Sequence, residues 1–160
     1  MIVIADTSPI SYLILIDEVD VLPLLYGEIF VPQAVFQELT ALDAPEKVRE
    51  WFKARPDWFE IRELTTVVPA DLSNLLDKGE SEAIQLATEL NADLILLDEL
   101  AGRRVATKNG LRVIGLIGVL AAASSRGLIE ADVVASKLEQ TNFFISADLI
   151  EFLRNTKSDL

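Results

Sequence analysis

The chain contains no cysteine and no histidine. Without cysteine there are no disulfides and no thiolate zinc sites, a composition compatible with a reducing compartment. The lack of histidine is more restrictive. It excludes Ser-His-Asp and Cys-His machinery and imidazole-ligated transition metals. Catalysis must then rest on carboxylates, hydroxyls, lysine or arginine, and hard carboxylate oxygens favour Mg²⁺ or Mn²⁺. Positive charge is scarce too: 14 Lys and Arg stand against 26 Asp and Glu, for a formal net charge of −12. That balance argues against general nucleic-acid affinity, so a substrate phosphate needs a metal or a local basic patch to bridge the repulsion. Long apolar runs are also missing. The longest, Val113 to Ala123, is short for a membrane span and includes Gly115 and Gly118. No basic segment precedes the first apolar stretch, which argues against a secretory signal and for a cytoplasmic protein.

The remaining composition supports a folded core. Hydrophobic residues make up 51% of 160 positions, which suits one domain over 1–160 that hides roughly 70% of its unfolded surface. No repeat, low-complexity tract or linker interrupts it. Two short, fully apolar stretches close on an aspartate: Ile2-Val3-Ile4-Ala5-Asp6 and Leu94-Ile95-Leu96-Leu97-Asp98. Without polar alternation, both read as central strands of a parallel sheet. Ligands of such sheets bind beyond the carboxyl ends of the strands. Adjacent strands lie ~4.8 Å apart, so pairing of the two would crowd Asp6 and Asp98 on one rim. At ~4–6 Å and an effective dielectric of ~20 they would repel by roughly 3–4 kcal/mol, which a cation or a shared proton relieves.

Elsewhere strand and helix alternate. Helices are predicted from Ser8 or Pro9 through Leu15, over about 19–25, from Pro32 at a first helical position to Leu42, and over 44–53. Others follow over 77–90, 99–109, 116–125, 130–140 and 146–155. Short strands are predicted at 29–31 and 111–114, and a sheet-edge strand within 58–64. The order predicts a right-handed parallel α/β sandwich. Trp51 and Trp58 read as packing residues. The stripes Val133, Val134, Leu138 and Leu149, Ile150, Leu153 suit either the core or a dimer contact.

Two further acids stand out. Glu38 lies four after Ala34, three after Val35 and four before Leu42, on the apolar stripe of its helix, where a carboxylate is costly unless paired or ligated. Glu82 borders the face formed by Ala83, Leu86, Ala87 and Leu90. Its neighbour Glu80 has the Asp-x-x-Glu spacing of a capping partner to Asp77, which leaves Glu82 as the site candidate. Asp6 or Thr7 equally suits a helix cap, and Glu99 suits a water-binding group beside Asp98. Arg103, Arg104, Lys108 and Arg112 follow Asp98 closely. They suit either phosphate contacts or ion pairs to nearby acids.

These residues resemble the PIN-domain family of metal-dependent ribonucleases, known as the toxin half of VapBC-type toxin–antitoxin pairs. The resemblance runs from Ile2 to about Ile129. It rests on Asp6-Thr7-Ser8, on Val35-Phe36-Gln37-Glu38-Leu39, on Gly79-Glu80-Ser81-Glu82-Ala83-Ile84 and on Asp98. Asp98-Glu99 with Gly102-Arg103-Arg104, then Gly115 to Leu120 and Gly127-Leu128-Ile129, points to one prokaryotic branch of that family. The resemblance implies a PIN-like three-layer sandwich with a parallel sheet of about five strands flanked by helices. It also implies that Asp6, Glu38, Glu82 and Asp98 hold one or two Mg²⁺ or Mn²⁺ ions, with Ser8 in support, and that water attacks an RNA phosphodiester. Homodimerisation and a small antitoxin partner are further implications. This chain departs from the pattern at Leu96, where many relatives carry Thr or Ser, and at Glu82, where Asp is frequent. The leading expectation is therefore a metal-dependent endoribonuclease. The alternatives are a catalytically silent binding module and a metal-dependent nuclease acting on DNA.

Overall fold

The computed structural model describes residues 1–158. Five parallel strands, β1 (Val3–Ala5), β2 (Ile29–Val31), β3 (Phe59–Ile61), β4 (Leu94–Leu96) and β5 (Val113–Ile114), form one sheet in the order β3-β2-β1-β4-β5. The chain runs outward from β1 to β2 and β3, then returns to the other side of β1 to add β4 and β5. The order therefore reverses between β1 and β4, the position at which open parallel sheets leave a crevice. β1 and β2 are wholly buried, as apolar central strands must be.

Among the described residues ten helices flank the sheet: α1 (Thr7–Leu15), α2 (Val21–Tyr26), α3 (Gln33–Thr40), α4 (Glu46–Lys53), α5 (Ala70–Leu75), α6 (Lys78–Glu89), α7 (Leu100–Lys108), α8 (Leu116–Ser125), α9 (Ala131–Glu139) and α10 (Ala147–Arg154). α6 packs on β1 and β4 and against α7, while α1 and α2 pack on α8, which also carries α9 and α10. The result is the expected α/β sandwich with its core on the faces of the sheet. None of the described helices is long and apolar enough to cross a membrane.

Several boundaries differ from the sequence expectation for local reasons. Pro32 is extended, at φ −75° and ψ 166°, and caps α3 instead of opening it, its carbonyl accepting from Phe36 N–H. α3 stops at Thr40, so Leu42 lies outside the helix and is 91% exposed. The apolar stripe beside Glu38 is thus one residue shorter than the spacing predicts. α5 has no long apolar period and was not expected. The edge strand shortens to Phe59–Ile61. Of the two late stripes, Val134, Leu138 and Leu153 are core residues, whereas Val133 and Leu149 stay exposed.

Both tryptophans pack. Trp51 meets Phe52, Trp58 and Phe59 at ring separations of 4.8, 5.7 and 6.0 Å, and Phe52 meets Phe59 edge-on at 5.0 Å. These rings close the β3 edge, so the only two tryptophans report on it. Phe59→Ala is expected to lower stability by about 3–5 kcal/mol and to red-shift tryptophan emission in the folded state. Denaturant titration followed by fluorescence checks both; an unchanged emission maximum would show that the cluster does not hold the rings in place.

Candidate metal centre

Three pairs join β1 to β4: Val3 with Leu94, Ile4 with Ile95 and Ala5 with Leu96. The ladder continues one bond further, with Asp6 N–H donating to Leu96 C=O at 2.9 Å. Asp6 therefore leaves β1 beside the end of β4, and Asp98 follows two residues beyond that end. Asp6 occupies the cap position of α1 but makes no side-chain capping bond. It is 5% exposed, and its Oδ1 has no hydrogen-bond partner. Burial pushes its carboxyl up from 3.8 to about 7; the nearby Thr7 N–H opposes the rise, while Asp77, Glu38 and Asp98 add to it.

Asp98 is held more firmly. Its Oδ1 accepts the Leu116 N–H at 2.9 Å and so ties the end of β4 to the start of α8, while its Oδ2 is buried without a partner. Burial raises its carboxyl, opposed by the Leu116 N–H and by the charge of Arg103. Backbone and side chains meet closely here. A Cβ on Gly115 would stand 2.7 Å from Asp98 Oδ1 and 2.6 Å from an Arg103 nitrogen, so a side chain there would displace one or both.

The acids of α6 divide differently from the sequence expectation. Asp77 caps the helix, its Oδ1 accepting the Glu80 N–H at 2.8 Å. The Glu80 side chain does not merely complete that cap. It is 7% exposed, its Oε2 is buried and unpartnered, and it faces the Asp77 carboxyl. Burial first, then the Asp77 hydrogen bond and the charges of Asp77, Asp6 and Glu99, push its carboxyl from 4.5 up to about 8. α7 comes close enough that a Cβ on Gly102 would meet Glu80 Oε2 at 2.6 Å. Glu82 instead accepts the Ala34 N–H at 3.2 Å, so its carboxylate serves the first turn of α3. The cap spacing had hidden Glu80. The signal that could have found it is the glycine of Gly102-Arg103-Arg104, which leaves room for a carboxylate.

Glu38 is exposed, contrary to the expectation of an apolar setting, yet it is placed. It accepts a hydrogen bond from the Thr7 hydroxyl, and a Cβ on Gly79 would meet its Oε1 at 2.6 Å. Leu96 is fully buried in the core. Ser8 and Glu99 line a cleft of about 900 Å³ beside Asp98, together with Arg103.

The basic cluster does not act as one patch. α7 starts at the carboxyl rim, after Asp98, and runs back toward the amino ends of the strands. Arg103 in its first turn stays at the rim. Arg104 is exposed, and Lys108 lies at the far end of the helix. Arg112 precedes β5, where its carbonyl accepts from Ile95 N–H, and so sits at the opposite edge of the sheet from the acids. Lys108 and Arg112 are thus removed from the rim by the directions of helix and strand. Among the described residues none of the four basic side chains forms an ion pair.

No three acidic side chains among the described residues converge on one point as the ligands of an ion do. The donor set nevertheless fits a divalent cation. Asp6 Oδ1, Glu80 Oε2 and Asp98 Oδ2 are the buried side-chain oxygens or nitrogens without a partner among the described residues, and unpaired buried acceptors are rare without a functional cause.

The sequence profile of a family described as a PIN domain matches residues 2–158. The chain belongs to the PIN-domain family. PIN domains are generally nucleases and typically use divalent metal ions. No curated protein matches the chain. Among solved structures it is similar to a PilT N-terminus domain protein from the hyperthermophilic archaeon Sulfolobus solfataricus P2, at 18% identity and a TM-score of 0.44, over 91% of this chain and 100% of that one.

The raised carboxyls link stability to pH. An acid that binds its proton more tightly when folded stabilises the fold below its unfolded value, near 4, and that stabilisation is lost as pH rises through about 7. Without metal, ionised Asp6 then costs on the order of 4 kcal/mol at pH 8. Asp6→Asn is expected to raise the melting temperature at pH 8 by about 8–16 °C and to change it little at pH 4. Calorimetry of the metal-free protein at both pH values checks this; a lowered melting temperature at pH 8 would show that Asp6 is not strained.

Proposed function

We propose that this PIN domain is a Mg²⁺- or Mn²⁺-dependent endoribonuclease whose ligands are Asp6, Glu80 and Asp98, with Glu38 at the open side. The observation that carries the reading is the trio of buried, unpartnered carboxylate oxygens at the β1–β4 crevice. A divalent ion supplies a nucleophilic water at neutral pH and offsets the charge that develops on a phosphodiester. The remaining work belongs to the chain. With carboxyls raised to about 7 and about 8, Asp6 and Glu80 hold protons part of the time and most of the time, respectively, at neutral pH, and would give them up to a bound cation. The Leu116 N–H fixes the Asp98 carboxylate in orientation, and the Thr7 hydroxyl does the same for Glu38. Arg103, free of ion pairs and lining the cleft, is positioned to donate to a phosphate oxygen of the substrate.

A catalytically silent module is the second reading, favoured by the lack of a converged acidic trio. Cleavage separates the two. The purified protein is expected to cut single-stranded RNA in Mn²⁺, and Asp98→Asn to slow cutting by at least about a hundredfold. Tight Mn²⁺ binding without cleavage across diverse RNA pools would favour the silent module, and faster cutting of DNA than RNA would move the substrate class.

The roles of Glu80 and Glu82 are separable by the same logic. Glu80→Gln is expected to weaken Mn²⁺ binding at least tenfold in titration calorimetry. Glu82→Ala is expected to leave it nearly unchanged while lowering stability by about 1 kcal/mol through the lost bond to Ala34. The reverse ranking would return Glu82 to the ligand set.

A further inference from the structure

The cleft beside Asp98 extends well beyond the acids. Its outer wall is apolar and aromatic: Leu100, Phe144, Leu149 and Phe152 are 60%, 91%, 48% and 56% exposed. The segment that carries Phe144 is tethered. Tyr12 donates its hydroxyl to Asn142 Oδ1 at 2.6 Å, and its ring meets Phe143 edge-on at 4.9 Å. Phe143 is thereby turned inward and its neighbour Phe144 outward. Arg103 is the cation that lines this wall among the described residues.

A second depression, of about 320 Å³, lies next to Glu38 and is lined by Thr7. Ser8 lines the first cleft. Consecutive residues directly after Asp6 thus border one hollow each, Thr7 beside Glu38 and Ser8 beside Asp98. The chain's surplus of negative charge makes phosphate contacts weak, so affinity has to come from something other than charge.

We propose that the cleft is a base-stacking subsite for an unpaired RNA strand. Phe144 and Phe152 offer ring faces to bases on one side of the scissile linkage, and Arg103 holds the intervening phosphate. The inference rests on the nuclease reading above. Two observations favour a strand over a protein occupant: the apolar wall is continuous with the acids that do the chemistry, and an unpaired guanidinium stands where the two meet. Stacking tolerates any base because every base has a π-face. It also demands single strands, since the bases of a duplex are already stacked on one another.

The test uses the full chain and short single-stranded RNAs carrying 2-aminopurine at successive positions, with calcium replacing magnesium to suppress turnover. Quenching is expected at positions on one side of the cleavage site only. Phe144→Ala and Phe152→Ala, both at exposed positions that the fold does not need, are expected to abolish that quenching and weaken binding roughly five- to hundredfold. In magnesium they should raise KM with little change in kcat, and duplex RNA of the same sequence should bind more weakly than the single strand. If the wild type cuts RNA while both variants bind and quench like it, the stacking subsite is overturned and the nuclease reading stands. If the wild type neither binds nor cuts RNA, both fail. If the substitutions turn a dimer into a monomer, by light scattering, without changing RNA affinity, the wall is a self-association surface and the proposal is overturned.

Discussion

The pairing of β1 with β4 is the interaction on which the rest depends. Each strand is short, apolar and wholly or largely buried, so each needs a partner on both edges to satisfy its backbone. When they pair, the residues that follow leave the sheet side by side, and both chains continue into carboxylates. The ladder, which is ordinary secondary structure, therefore sets up an electrostatic conflict that no lysine or arginine resolves by ion pairing. Arg103 alone moderates it, through its charge near Asp98.

Helix placement deepens the conflict instead of relieving it. α6 packs across β1 and β4, and its first turn brings Glu80 and Asp77 toward Asp6. Gly102 and Gly115 give the side chains of Glu80 and Asp98 room that any larger residue would take. A fold under pressure for stability alone would place a hydrophobic residue at positions so well covered. Retention of buried, unpartnered acids at the one crevice of the sheet is the expected signature of a site whose charge is offset only in the working state.

The strands and their terminal aspartates were legible in the sequence because a buried parallel strand has a distinctive composition and its last residue has only one place to go. The assignment on α6 was harder. Asp77 and Glu80 have the spacing of a reciprocal cap, and that local pattern accounts for the Glu80 backbone N–H but not for its side chain, whose surroundings come from α7. Glu82 was drawn toward the site by its position at the edge of an apolar face, yet the neighbouring element there is the start of α3, which needs acceptors. The basic cluster was misleading for a related reason. Between Asp98 and Arg112 the chain runs along α7 away from the rim, and β5 starts back only after Arg112, so only the first turn of α7 stays near the rim. α5 has too few apolar positions to announce itself by period, and Leu42 was counted into a helix that ends before it.

Under the proposed nuclease function, so acidic a chain would have to engage an acidic polymer with little cationic help. With Lys108 and Arg112 at the far edge and Arg104 exposed, cationic help at the rim reduces to Arg103. Long-range steering by charge is therefore unfavourable, and encounter must depend on short-range contacts that salt does not screen. A divalent ion reverses the sign of the field within the crevice itself, where three carboxylate oxygens are otherwise unmatched. Under the proposed function, binding of metal and of substrate would then be coupled through one quantity, the local charge. The exposed aromatic wall beyond Asp98 would provide, in the stacking proposal, the part of the affinity that this charge cannot.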